Sequence, residues 1–209
     1  MDKKRLSIRN LSVSFLKDDG KVTAVDDVSF HINDGKILGM IGESGCGKST
    51  LGLSIMNLLP EKASSIDKGE ILFNGKDLSK LNENELQKIR GNNISMIFQE
   101  PMTSLNPLFK IGRQIGETLK IHKNLRGQQL KDKVIELLKD VHIPNPEEIY
   151  NAYPHNLSGG MRQRVMIAMA LSCEPEILIA DEPTTALDVT IQAQILYILK
   201  QLNEKKNTS

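Results

Sequence analysis

The chain has 209 residues, of which 39% are apolar and 25% are charged, and its 27 Lys and Arg nearly balance its 26 Asp and Glu to a formal net charge of +1. This composition is that of an ordinary folded domain, and the length suits one sizeable core but falls short of two independent domains. The near-zero charge gives no field that attracts a polyanion, and the absence of Trp disfavours base stacking, so nucleic acid is not expected as the main partner.

Membrane spans, disulfides and zinc sites are not predicted. No stretch reaches the roughly 18 consecutive apolar residues that a span needs, and the start MDKKRLSIRN lacks the apolar run of a signal peptide, so we expect a cytosolic chain. The two cysteines, Cys46 and Cys173, form no Cys-x-x-Cys pair, and the four histidines have no ligand spacing.

Short β-like runs separated by turn residues dominate the first half of the chain. They occupy residues 6–15, 24–32, 36–42, 69–75 and 93–98. The first two predict a meander, and the apolar run at 36–42 predicts a buried strand that leads into a glycine-rich loop. The apolar residues after that loop predict a helix that ends before Pro60.

The second half alternates helices with one strand. A helical subdomain is expected at 100–156, with helices at 111–121 and 130–140, inserted into a core formed by 1–99 and 157–209. Further predicted elements are a helix at 161–173, an apolar strand at 176–181 and a long amphipathic helix at 189–206. This order predicts one α/β domain with a mainly parallel sheet covered by helices, plus an N-terminal antiparallel subdomain.

The sequence GESGCGKST fills every fixed position of the phosphate-binding pattern G-x-x-x-x-G-K-[ST]. A loop with little side-chain bulk can wrap its amides around phosphates while the next helix points its N-terminus at them. Lys48 is expected to reach the β- and γ-phosphates, and Ser49 to ligate Mg²⁺. The alternative is a plain glycine-rich turn. The expected nucleotide contacts are Gly42, Glu43, Ser44, Gly45, Cys46, Gly47, Lys48, Ser49 and Thr50.

Cys46 lies inside this loop. We expect chemical modification of its thiol to block nucleotide binding by steric hindrance, without any catalytic role for the cysteine.

Two carboxylates end the apolar strand ILIADE. Asp181 suits Mg²⁺, directly or through water, and Glu182 suits a base that polarises the attacking water. The alternative is a polar turn before Pro183.

The segment LSGGM begins a helix, with Ser158 as the expected N-cap and two glycines in the first turn. A glycine costs a helix about 1 kcal/mol relative to alanine, which is understandable where a phosphate must approach the backbone. A simple capped helix start is the alternative.

Together these motifs resemble the ATP-binding subunits of ABC transporters over nearly the whole chain. GESGCGKST resembles the Walker A loop, LSGGM the signature, ILIADE the Walker B strand and ALD, ending at Asp188, the D-loop. The resemblance implies that Gln99 senses Mg²⁺ and the membrane partner with a catalytic role, and that Asp188 lies near nucleotide, although Asp188 could instead cap the last helix. Phe15 matches the aromatic residue that stacks on adenine, or it is a core residue of a strand.

The resemblance is narrower around FQEPMTSLNPLFKIGRQIGE and YPHNLSGGMRQRVMIAMAL, which look like importers of oligopeptides, dipeptides or nickel. It implies ATP and Mg²⁺ as cofactors and head-to-tail pairing with a second ATP-binding subunit. In such a pair Ser158, Gly159 and Gly160 contact the partner's nucleotide. Transmembrane permease subunits would dock on the helical subdomain at the cytoplasmic face of the membrane, and a solute-binding protein would act indirectly.

One departure concerns the C-terminal side. Members of this family carry a further strand and a switch histidine after the helix at about 188–204, and this chain ends at Ser209 without them. We therefore expect a fragment of a longer subunit, with a gap in the sheet, low turnover and reduced stability. The alternatives are a cassette ATPase that acts on DNA or ribosomes, and a non-hydrolysing nucleotide-binding fragment.

Overall fold

The structure is a computed structural model that describes residues 4–18, 20–99, 104–184 and 189–209. The chain divides into two compact units. The first comprises the described residues up to Arg90 together with Asn207–Ser209, and the second comprises Gly91–Lys206. The division expected from the sequence, with 100–156 as a helical insertion, remains a prediction.

The first unit is built on a four-stranded antiparallel sheet of order β2-β1-β3-β4. Its strands are β1 (Lys4–Lys17), β2 (Gly20–Asn33), β3 (Ser64–Phe73) and β4 (Lys76–Asp77). Leu6 and Ile8 alternate with polar neighbours along β1 and are almost fully buried, as expected for a sheet with one face on a core. The predicted N-terminal antiparallel subdomain is therefore present, with strands longer than the periodicity indicated.

Two α-helices lie among the described residues of this unit. Helix α1 (Lys48–Ile55) follows the glycine-rich loop and ends earlier than Pro60. Helix α2 (Glu83–Ile89) starts with a capping box, in which Asn82 and Glu85 each accept a hydrogen bond from the other's backbone N–H.

The segment 36–42 departs from its prediction. No strand among the described residues pairs with it, and its apolar side chains are exposed, with 69% of Ile37 and 99% of Ile41 accessible. An apolar run becomes a buried strand only when neighbouring strands take its backbone hydrogen bonds and another layer covers it. The described chain supplies neither, so the expected strand before the loop is wrong for this structure.

The described part of the second unit contains a parallel pair of strands and several helices. Strand β5 (Ile94–Ile97) pairs with β6 (Ile177–Ala180), so that Ile94 is opposite Ile177 and Ile97 opposite Ala180. The described helices of at least six residues are α3 (Ile111–Lys123), α4 (Gly127–Asp140), α5 (Pro146–Asn151), α6 (Gly159–Ala170) and α7 (Val189–Lys206). The helices predicted at 111–121 and 130–140 are present.

The core of the second unit lies among these helices. Ile115 of α3, Val134 and Leu138 of α4, Ile167 of α6 and Ile195 of α7 are all inaccessible to solvent and belong to one cluster. This apolar packing anchors the start of α6 and the end of β6, where the predicted site residues of this unit lie. Within the described ranges, no helix has both the length and the apolar character to cross a membrane.

Candidate functional site

The phosphate loop, residues 42–50, leads into α1 in the first unit. Gly47 occupies the N-cap position in the left-handed conformation, with φ 94°. A Cβ atom there would lie 2.3 Å from the carbonyl oxygen of Ala24, so both the backbone angle and the lack of space call for glycine. Because Gly47 has no side chain, the amides of the first turn of α1 receive no side-chain cap and are suited to an external anion.

Lys48 folds back over the phosphate loop. Its Nζ donates hydrogen bonds of 2.8 Å to the carbonyl oxygens of Gly42 and Glu43, and lies 3.8 Å from the Sγ of Cys46. A flexible ammonium held by neutral carbonyls can exchange them for charged phosphate oxygens, which are stronger acceptors. The loop residues thus fit the phosphates of a nucleotide.

The remaining residues of the loop are accessible. Residues 42–46 and Ser49 are exposed, which leaves the Ser49 hydroxyl open to a ligand.

Phe15 lies in the same unit near the end of β1, half-buried, opposite Val22 of β2 and Ser64 of β3. This position suits both a strand core residue and a partly accessible aromatic face, so both interpretations of Phe15 stay predictions.

The acidic strand end lies in the second unit. The backbone N–H of Asp181 continues the ladder by donating to the carbonyl oxygen of Ile97, 3.0 Å away. At the other end of the pair, the Nδ2 of Asn93 donates to the Oε1 of Glu176 at 2.8 Å. Register is therefore fixed at both ends, and Asp181 and Glu182 follow β6 as predicted.

Gln99 and Glu182 meet after the ends of the two paired strands. The Nε2 of Gln99 donates to the Oε2 of Glu182 at 2.8 Å, and both side chains are exposed. Glu182 has φ 45°, a left-handed conformation that is unfavourable for a residue with a Cβ atom. Outliers of this kind concentrate at functional sites, where surrounding contacts maintain them.

The signature segment starts α6 in the same unit. The hydroxyl of Ser158 accepts a hydrogen bond from the N–H of Met161 at 3.3 Å, which confirms the predicted N-cap. A Cβ atom on Gly160 would lie 3.2 Å from Cγ2 of Ile191, so α6 and α7 approach closely there. Ser158 and Gly159 are exposed and available to another molecule.

Gln163 was not identified from the sequence. It is 1% exposed, and its Nε2 donates to the carbonyl oxygen of Pro183 at 2.6 Å. In the sequence it stands between Arg162 and Arg164, so nothing there marked its amide as buried.

The oxygen donors proposed for Mg²⁺ are of the right chemical type, since this cation prefers hydroxyl, carboxylate and amide oxygens. Ser49 belongs to the first unit, and Gln99 and Asp181 to the second. Among the described residues no cluster of three or more His, Cys, Asp or Glu could hold a metal by itself. Asp188, the predicted D-loop residue, lies outside the described residues.

Comparison with known proteins agrees with these motifs. The family model for ABC transporters matches residues 25–185. The oligopeptide transport ATP-binding protein AppD of Bacillus subtilis is 53% identical over 204 residues, which cover 98% of this chain and 62% of AppD. The dipeptide transport ATP-binding protein DppD of the same organism is 53% identical, with 99% of this chain and 62% of DppD covered. The chain thus spans about three fifths of the length of these relatives.

A solved structure of an ATP-binding cassette has the same fold as this chain. An ATP-binding cassette, solved as a dimer in a post-hydrolysis state bound to ADP and Pi, superimposes with a TM-score of 0.86 at 30% identity. The match covers 97% of this chain and 84% of the other, which confirms the predicted fold class. With its phosphate loop, acidic strand end and capped signature helix, the chain belongs to the ABC transporter family and carries the ATP-binding cassette of that family.

Proposed function

We propose that this chain binds ATP with Mg²⁺ and hydrolyses it as the ATP-binding subunit of an importer of peptides or similarly small solutes. The observation that carries nucleotide binding is the phosphate loop, where Lys48 lies against replaceable carbonyl acceptors in front of a helix without a side-chain cap. The peptide class is supported by the names of relatives that transport oligopeptides and dipeptides.

In this proposal Glu182 acts as the general base and polarises the water that attacks the γ-phosphate. The hydrogen bond from the Nε2 of Gln99 orients its carboxylate. Lys48 balances charge on the β- and γ-phosphates. Bound Mg²⁺, held by Ser49, Asp181 and Gln99, would neutralise phosphate charge and fix the geometry of the phosphates.

A second ATP-binding subunit is proposed to complete the site. The signature residues Ser158, Gly159 and Gly160 would contact nucleotide bound to that partner, and Asp188 would lie at the same junction. The exposure of Ser158 and Gly159 supports this role, as does the dimeric state of the similar cassette. The resulting assembly would act with transmembrane permease subunits at the cytoplasmic face of the membrane, where residues 100–156 form the docking surface.

The test is binding of a fluorescent ATP analogue, with and without Mg²⁺, to the purified chain. We expect Lys48→Ala to abolish saturable binding, because it removes the mobile cation of the loop, while circular dichroism shows that the fold is kept. The matched control is Lys62→Ala, which removes an exposed lysine of the same unit and should bind like the parent chain. Equal binding by a folded Lys48→Ala variant would overturn the proposal.

A further inference from the structure

Gln163 connects the signature helix to the turn that carries the proposed general base. It belongs to α6, five positions after the N-cap Ser158, and is 1% exposed. Its Nε2 donates to the carbonyl oxygen of Pro183 at 2.6 Å. A short hydrogen bond in a buried environment is directional, so it restricts how this turn can move relative to α6.

Pro183 follows Glu182 directly, and the Walker B turn, residues 181–184, is held at two points around Glu182. Before Glu182, the N–H of Asp181 bonds to Ile97. After it, the Pro183 carbonyl is held by Gln163. The proline ring fixes its own φ, so the direction of this carbonyl constrains the backbone next to Glu182.

Glu182 needs such constraints because its φ of 45° is unfavourable and its side chain is exposed. The contact from Gln99 acts on the carboxylate, whereas Gln163 acts on the backbone. The two glutamines therefore restrict different parts of the same residue.

Resting on the proposed function, we propose that Gln163 is a positioning residue for hydrolysis. It fixes the Walker B turn to the signature helix and so keeps the Glu182 carboxylate directed at the reacting water. A signature helix that moves when it meets the partner's nucleotide would carry this turn with it. The side-chain amide of Gln163 thus links α6 to the backbone next to Glu182.

The test substitutes Gln163→Met, which keeps an unbranched side chain of similar length and removes the donor. Gln163→Glu serves as a second variant if the Gln163→Met protein does not fold. The matched control is Gln194→Leu, which removes the 2.6 Å hydrogen bond between Gln194 and Arg164 of α6 and leaves Pro183 untouched. Gln163→His restores an N–H donor and should recover part of the function.

Two readouts are taken on the full chain. Hydrogen–deuterium exchange should be faster at 181–184 in Gln163→Met than in the parent chain or Gln194→Leu. Single-turnover hydrolysis should fall about tenfold or more while the Kd for ATP stays within twofold, because geometry is lost and the phosphate loop is intact. A rate within twofold of the parent, unchanged exchange at 181–184, or faster exchange throughout the second unit overturns the proposal.

Failure of the proposed function would look different. In that case the parent chain would show no Lys48-dependent hydrolysis, and the exchange measurement alone would decide whether Gln163 holds the Walker B turn.

Discussion

The side-chain amide of Gln99 donates to the Glu182 carboxylate at 2.8 Å across 83 positions of sequence. Strands β5 and β6 run parallel in matched register, so residues shortly after their ends come together. The contact joins the residue expected to sense the membrane partner with the residue expected to activate water.

The first prediction separates the charge of Glu182 from its contact with Gln99. Glu182→Gln keeps an oxygen acceptor but removes the base, and should lower single-turnover hydrolysis about 10²–10⁴-fold with ATP affinity retained. Gln99→Leu keeps the base and loses its orientation, with an expected fall of up to about 100-fold. Single-turnover assays with radiolabelled ATP measure these slow rates. Parent-like hydrolysis by both variants would show that neither residue takes part in the reaction.

The second prediction concerns the two cysteines. Cys46 is exposed in the phosphate loop, whereas Cys173 is 1% exposed and its burial raises the pKa of its thiol, which slows reaction. N-ethylmaleimide should therefore label Cys46 alone in the folded chain and abolish ATP binding by filling the loop. Bound ATP should protect Cys46, and mass spectrometry of peptides identifies the labelled residue.

The control for that experiment is Cys46→Ser, which should bind ATP and resist inactivation by the reagent. Full ATP affinity in protein alkylated at Cys46 would show that the loop does not surround the nucleotide.

The third prediction concerns the pH dependence of stability through Asp67. Hydrogen bonds from the Lys21 ammonium, then from the Ser14 and Ser65 hydroxyls, lower the pKa of Asp67 from 3.8 to about 2. Because folding favours the ionised carboxylate, its contribution to stability is complete above pH 3.8 and is lost as the pH falls to about 2.

Asp67→Asn should thus be less stable than the parent near neutral pH, with a difference that shrinks between pH 3.8 and about 2. Urea unfolding followed by circular dichroism at a series of pH values measures it. High salt should reduce the difference, because the Lys21 contact is partly exposed. The control is Glu70→Gln, which removes an exposed pair with Arg9 at 3.6 Å and a weaker attraction to Lys80, and should change stability little. An equal effect of both substitutions would contradict the prediction.

The sequence was sufficient for those parts of the site that local rules govern. The phosphate loop before α1, the Ser158 cap of α6 and the acids after β6 follow from glycine conformations, capping and strand order. The strand predicted at 36–42 was wrong, because an apolar run shows that a strand would have to be buried but not that a neighbouring strand is available to pair with it. The Gln163 contact with Pro183 was missed because hydrogen bonds between distant segments leave no spacing pattern.

Segment 36–42 also bears on how this chain behaves in concentrated solution. It combines an exposed apolar surface with a backbone that no described strand pairs with, and Lys36 is its single charge. Such a segment can be extended by a strand from another molecule, which is the first step of ordered self-association. We therefore expect the approach to the nucleotide loop to promote self-association at high protein concentration.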